Sequence, residues 1–96
     1  MKKGYVYIVT NKTNKVLYTG VTSNLMKRIY DHKSGIASKF TKKYNCNKLV
    51  FYNEFPTINE AIMTEKKIKA GSRNSKNKLI ESSNPEWTDL SLEWYK

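Results

Sequence analysis

Residues 4–21 read Gly4-Tyr5-Val6-Tyr7-Ile8-Val9-Thr10-Asn11-Lys12-Thr13-Asn14-Lys15-Val16-Leu17-Tyr18-Thr19-Gly20-Val21. Two runs of aromatic and β-branched residues, Tyr5–Thr10 and Val16–Val21, flank a polar stretch. That pattern predicts a β-hairpin, although the turn lacks the strongest Asn-Gly form. Each strand carries a tyrosine in a comparable place. A register that sets Tyr7 directly opposite Tyr18 puts both phenols on one face of the sheet. A slip of one residue would send them to opposite faces, so any role for the pair depends on register. Taken alone, such a cross-strand pair is a packing contact.

The bulk properties bound the remaining possibilities. Ninety-six residues are enough for one domain, expected to span 1–96, with a modest core. The 18 Lys and Arg outnumber the 8 Asp and Glu, giving a formal net charge of +10. A small domain with that charge attracts polyanions, and nucleic acid leads over an anionic membrane surface. Seven tyrosines strengthen the choice, because aromatic faces stack on bases. Cys46 is the only cysteine, so no internal disulfide can form and a reducing compartment is expected. No apolar run approaches membrane-spanning length. The apolar stretch after Met1-Lys2-Lys3 is broken at Thr10-Asn11-Lys12, unlike a signal peptide, so a cytoplasmic location is expected.

Outward from the hairpin, Thr22 or Ser23 is placed to cap a helix over about 24–33, stopped by Ser34-Gly35. Leu25 and Ile29 form its inward stripe, while Arg28 and His32, also four apart, share a neighbouring edge. Singly, Arg28 reads as a solvated residue and His32 as a surface or satisfied core histidine. Residues 36–47 are basic and irregular, with Lys39, Lys42 and Lys43 interleaved with Phe40 and Tyr44 around a possible helical turn. That mixture fits either a backbone-tracking surface or a solvated loop. Lys48–Phe55 reads as a third strand ended by Pro56, with Leu49, Val50, Phe51 and Phe55 facing the core.

Thr57 and Glu60 form a capping box for a helix over 58–70, stopped at Gly71. Its apolar stripe is Ile58, Ala61, Ile62 and Ile68, and Glu65 falls inside it. An inward carboxylate needs a partner, either an internal salt bridge or a metal ion. Residues 72–83 continue as a helix with Arg73, Lys76 and Lys78 outward and Leu79-Ile80 inward. Asn84-Pro85-Glu86-Trp87 is a turn. Residues 88–96 carry Leu90, Leu92, Trp94 and Tyr95, a tail expected to pack on the core. No zinc-spaced Cys/His cluster or phosphate-cradling glycine loop is present.

In order, Tyr7, Tyr18, Gly20, Arg28, His32 and Glu65 fall on strand, strand, helix and later helix. This set resembles the GIY-YIG endonuclease family, most closely its small single-domain members. Tyr5-Val6-Tyr7 stands where that family has Gly-Ile-Tyr, and Tyr18-Thr19-Gly20 stands for Tyr-Ile-Gly. Glu65 to Lys69 matches the Glu-x-x-Ile-Lys helix of that branch. The resemblance implies an α+β fold, a small three-stranded antiparallel sheet flanked by helices. It implies phosphodiester hydrolysis in DNA, directed by structure rather than sequence and serving repair or processing.

It also implies one divalent ion, Mg²⁺ or Mn²⁺, on Glu65. Tyr7 would be the general base, Tyr18 would orient water or phosphate, Arg28 would stabilise developing charge, and His32 would join the cluster. Lys39, Lys42, Lys43, Arg73, Lys76 and Lys78 would contact nucleic acid without reading sequence, leaving specificity to a partner protein. Two departures stand out. Tyr5 replaces the first glycine of the triplet, and the family's late asparagine has only Asn77 or Asn84 as counterparts. The competing function on the same fold is a basic nucleic-acid-binding module without turnover.

Overall fold

The computed structural model describes residues 2–95. Met1 and Lys96, the ends of the stretches expected to be leader-free and tail, lie outside the described residues. The strands are β1 (Gly4–Thr10), β2 (Leu17–Thr22) and β3 (Lys48–Phe55). The helices are α1 (Leu25–Lys33), α2 (Lys39–Lys43), α3 (Ile58–Ala70) and α4 (Arg73–Ser83). The sheet is antiparallel in the order β2-β1-β3, so the fold is α+β as expected.

The central strand β1 is buried on both faces, which is why it reads as a nearly continuous apolar run. One face carries Tyr7 and Val9, packed with Leu25 and Ile29 of α1, Cys46 and Leu49. The other carries Ile8, packed with Val50, Phe51 and Ile80, with Ile68 and Leu79 closing the edge. The helices therefore divide between two sides of a single thin sheet. Gly4 lets α3 approach closely: a Cβ there would fall 2.7 Å from Ala61 Cβ and from Ile58 Cα. Tyr5 does not block that approach. It packs, as Trp94 does, against the core cluster on the α1 side.

Local chemistry sets the element ends. In the hairpin turn, the Asn11 side-chain oxygen accepts from the amides of Lys15 and Val16, and Asn14 adopts φ 60°, a conformation asparagine tolerates. The α1 cap is Asn24, whose side chain accepts from Lys27 N, and not Thr22 or Ser23. Thr22 instead binds the cap residue itself, accepting from its N–H and donating to its carbonyl. Thr57 caps α3 by accepting from Glu60 N, and its hydroxyl donates to the Glu60 carboxylate. Ser38 and Ser72 cap α2 and α4 in the same way.

The tail packs only in part. Leu90 donates its amide to Leu49 O and, with Trp94, leans on the core, whereas Leu92 is 69% exposed. Asp89 explains the difference. Its carboxylate accepts from Leu49 N, Ser91 and Lys33, so polar bonds as well as apolar burial hold the tail. Phe55 is half-buried at the end of β3.

Candidate active site

The hairpin register is shifted by two residues from the one in which Tyr7 faces Tyr18. Tyr7 pairs with Gly20, and Tyr18 pairs with Val9. A shift of two keeps the parity, so both phenols still point to the α1 side, as diagonal neighbours. Their ring centroids are 6.5 Å apart. The shift has a steric cause: a Cβ on Gly20 would lie 2.4 Å from Cζ and Oη of Tyr7, so the ring occupies the space that a glycine leaves open.

Burial and bonding single out Tyr7. Its side chain has no exposed surface, and its hydroxyl lies 2.8 Å from His32 Nε2. His32 comes from the last turn of α1, where Leu25 and Ile29 anchor the helix to the sheet. The helical spacing that buries those two residues brings Arg28 and His32 to the tyrosine pair. Burial drives the Tyr7 phenol well above its ordinary value, aided by Tyr18, while the charge and donor groups of Arg28 pull it down; Glu65 pushes it up. Burial, followed by the Arg28 charge, pushes His32 down to about 4, with Asp31 acting in the opposite sense. The imidazole is therefore neutral at physiological pH. Tyr18 packs against the same imidazole in a tilted arrangement, with centroids 5.6 Å apart.

Glu65 arrives from α3, in the inward stripe that its spacing indicates. Its side chain is 12% exposed and pairs with Lys69 at 3.0 Å. Lys69 also stands over the Tyr18 ring, 5.9 Å from the centroid. The salt-bridge partner comes from a half-exposed lysine one turn along α3. Among the described residues no three His, Cys, Asp or Glu side chains cluster as a ready-made metal cage. A single carboxylate whose cation can swing into solvent suits an ion that keeps most of its waters and takes oxygens from its substrate.

Beside Tyr18 opens a cleft of about 480 Å³ walled by Thr19, Phe40, Lys69, Arg73 and Lys76. Lys39, Lys42, Lys43 and Lys78 are on the exposed surface. Arg73 and Lys76 have internal partners. Arg73 donates to Lys15 O at 2.8 Å, to Asn14 O and to Asn77 Oδ1, clamping the hairpin turn onto α4. Lys76 is half-buried and donates to Gly71 O. Asn84 is buried and saturated: its amide donates to Val50 O and Thr88 O, and its oxygen accepts from the Thr88 amide and hydroxyl. It holds the turn after α4, and Asn77 is occupied by Arg73.

Two residues outside the sequence-derived set complete the cluster. Thr41, 2% exposed, lies 3.1 Å from His32 Nδ1, and Ser38 lies 2.8 Å from the Thr41 hydroxyl. The available signal was a Ser-x-x-Thr spacing at the start of a short helix, which carries no catalytic meaning by itself.

Residues 3–79 match the GIY-YIG catalytic domain. The chain belongs to the GIY-YIG family. It is 44% identical over 81 residues to the UPF0213 protein SH2523 of Staphylococcus haemolyticus, covering 84% of this chain and 98% of that one. Identity is also 44% over 78 residues to the UPF0213 protein CPE1444 of Clostridium perfringens, covering 81% and 83%. The solution NMR structure of the UPF0213 protein BH0048 of Bacillus halodurans superposes with a TM-score of 0.59 at 32% identity, over 95% of this chain and 97% of that one. This is therefore a small GIY-YIG protein of the UPF0213 type, and its three-stranded sheet with flanking helices is the fold of that group.

Proposed function

We propose that this GIY-YIG protein is a metal-dependent endonuclease that hydrolyses phosphodiester bonds in DNA, selecting structure rather than sequence during repair or processing. The observation that carries the reading is the buried Tyr7–His32 hydrogen bond, with Tyr18, Arg28 and Glu65 gathered around it. A phenol raised so far by burial is a poor base if it must first ionise. A concerted transfer avoids that. Tyr7 Oη, closed to solvent in the free protein, would take a proton from a water that substrate binding admits beside it, while its own proton passes to His32 Nε2. The water oxygen bonds to phosphorus, the ester oxygen leaves, and solvent protonates it.

The imidazolium formed is disfavoured in the free protein by burial and by Arg28. A substrate phosphate beside Arg28 would offset that charge, coupling proton transfer to occupancy. Arg28 would also stabilise charge developing on the phosphoryl oxygens. Glu65 would hold Mg²⁺ or Mn²⁺, which when bound supplies Lewis-acid stabilisation of the phosphate. The exposed Lys39, Lys42, Lys43 and Lys78, with Lys69 and Phe40 on the cleft, would bind the backbone without base readout. Arg73 and Lys76 would contribute field rather than direct contacts. Among the described residues no helix is long and apolar enough to cross a membrane; the reading has the protein act in the cytoplasm. Specificity would come from a partner protein.

Branched, nicked, single-stranded and duplex DNA incubated with the protein and Mg²⁺ or Mn²⁺ test the reading. Cleavage should fall at least ~100-fold in Glu65→Ala and in Tyr7→Phe. Cleavage that persists in both refutes it. Salt-sensitive binding without cleavage by the wild type, unaltered by Glu65→Ala, would instead identify a binding module.

A further inference from the structure

We propose that Thr41 is a positioning residue that fixes His32 in the Nδ1–H tautomer, leaving Nε2 as the acceptor for the Tyr7 hydroxyl proton. The mechanistic consequence rests on the proposed hydrolysis, but the tautomer itself does not.

The assignment follows from counting hydrogens in a sealed cluster. Tyr7, His32 and Thr41 are 0%, 3% and 2% exposed, so solvent is a poor substitute for a missing partner. His32 has one polar hydrogen when neutral, and its two ring nitrogens face Tyr7 Oη at 2.8 Å and Thr41 Oγ1 at 3.1 Å. Suppose the hydrogen were on Nε2. His32 would then donate to Tyr7, and the phenol would have to send its own hydrogen elsewhere. The other group hydrogen-bonded to that oxygen is Arg28, which can only donate; Tyr18 and Glu65 act on the phenol through charge and not through a hydrogen bond. The phenol hydrogen would be stranded in a buried position without an acceptor. With the hydrogen on Nδ1, Tyr7 donates to Nε2 and keeps a lone pair for Arg28.

Thr41 makes that second arrangement possible. Its single hydroxyl hydrogen has acceptors in Ser38, the carbonyl at 3.3 Å and the hydroxyl at 2.8 Å. Ser38 Oγ is itself oriented by the Thr41 amide, which donates to it at 3.1 Å as the N-cap of α2. The hydroxyl hydrogen thus points to Ser38, and a lone pair of Thr41 Oγ1 is directed at His32 Nδ1–H. This gives a purpose to the short helix α2: its cap aims one buried hydroxyl at the back of the imidazole. The groups facing His32 are thus Tyr7, Tyr18, Arg28, Thr41 and the neighbouring Asp31.

His32 is the only histidine of the chain, so long-range ¹H–¹⁵N correlation spectra report its tautomer without ambiguity. The wild type at neutral pH should show a protonated Nδ1 and an unprotonated, hydrogen-bonded Nε2. Thr41→Val, close to isosteric, should move the population toward Nε2–H. Thr41→Ser should restore the wild-type pattern, and Ser38→Ala should give an intermediate one. Cleavage by Thr41→Val should show kcat reduced about 10–100-fold with DNA affinity unchanged, as for loss of a group that orients a catalytic imidazole. A protonated Nε2 in the wild type overturns the proposal. So does a Thr41→Val spectrum identical to wild type, or, should that variant not fold, an unshifted Ser38→Ala spectrum. The expected tautomer in a wild type that cleaves nothing would uphold the positioning role while removing the hydrolytic reading.

Discussion

Replacing Gly20 with alanine should destabilise the protein and disturb Tyr7, although a strand position ordinarily gains from that change. Two effects oppose each other. Alanine restricts the unfolded chain and suits an element interior better than glycine, worth about 0.5–1 kcal/mol in favour. Against it, the new Cβ would sit 2.4 Å from Tyr7 Cζ and Oη and 2.8 Å from Cε2. That ring cannot swing away freely, because it has no exposed surface and its hydroxyl is tied to His32. Overpacking of this kind costs about 1–3 kcal/mol, and separating the phenol from the imidazole adds about 1 kcal/mol. The expected net loss is about 1–3 kcal/mol, a fall in Tm of roughly 10 °C for a domain of this length. Chemical denaturation measures the loss, and the His32 ¹⁵N signals report on its bond to Tyr7. A second-site test isolates the cause: in a Tyr7→Leu background the colliding ring atoms are gone, so Gly20→Ala should become neutral or mildly stabilising. A Gly20→Ala protein as stable as wild type, with the His32 signals unmoved, would refute the steric account of the register.

Stability should fall as pH drops from about 6.5 to 4, because unfolded His32 takes up a proton that the folded state resists down to about 4. The linkage amounts to about 3 kcal/mol and should vanish from denaturation curves of His32→Gln. A further loss at lower pH should trace to Asp89, whose carboxyl is raised by burial but held below its usual value by Lys33 and Ser91. Lys69→Met should raise Mn²⁺ affinity measured by calorimetry by up to about fivefold, since the half-exposed ion pair it removes is worth at most about 1 kcal/mol. Arg73→Lys should speed amide exchange in the hairpin turn as much as Arg73→Ala does. Lysine cannot reproduce the forked donation to Asn14 and Lys15, so the residue should behave as a clamp and not as an interchangeable positive charge.

The elements were legible because the chain punctuates them clearly. Runs of aromatic and β-branched residues mark β1 and β2, Pro56 closes β3, and Thr57 with Glu60 opens α3 at its observed start. The α1 cap was missed for a reason visible in its bonds. Thr22, Ser23 and Asn24 are consecutive cap formers, and only the packed Thr22 side chain, bonded to both backbone groups of Asn24, decides which one serves. Arg73 and Lys76 illustrate the opposite difficulty. Arg73 is exposed and Lys76 half-buried, as side chains on a polar helix face, yet each also donates to carbonyls, of the hairpin turn or of the end of α3. Nothing in local periodicity encodes those distant acceptors.

The site was legible to the extent that it depends on parity and helical spacing. Whether Tyr7 faces Tyr18 or Gly20, the two phenols share a side of the sheet, because either register differs from the other by an even step. Arg28 and His32 follow from one turn of α1, and Glu65 from its place in an apolar stripe. The pair-by-pair register was not legible from the strands alone, since both alignments satisfy the alternation equally. What separates them is a collision between residues on different strands, the Tyr7 ring against any side chain at position 20. Only glycine leaves that space, so Gly20 has a structural duty toward Tyr7. The same reasoning explains why Thr41 stayed hidden. Its importance lies in one hydrogen bond made across nine residues, to an imidazole whose other nitrogen already had a partner. A threonine in a lysine-rich loop gains meaning only once the proton of His32 must be assigned to one nitrogen.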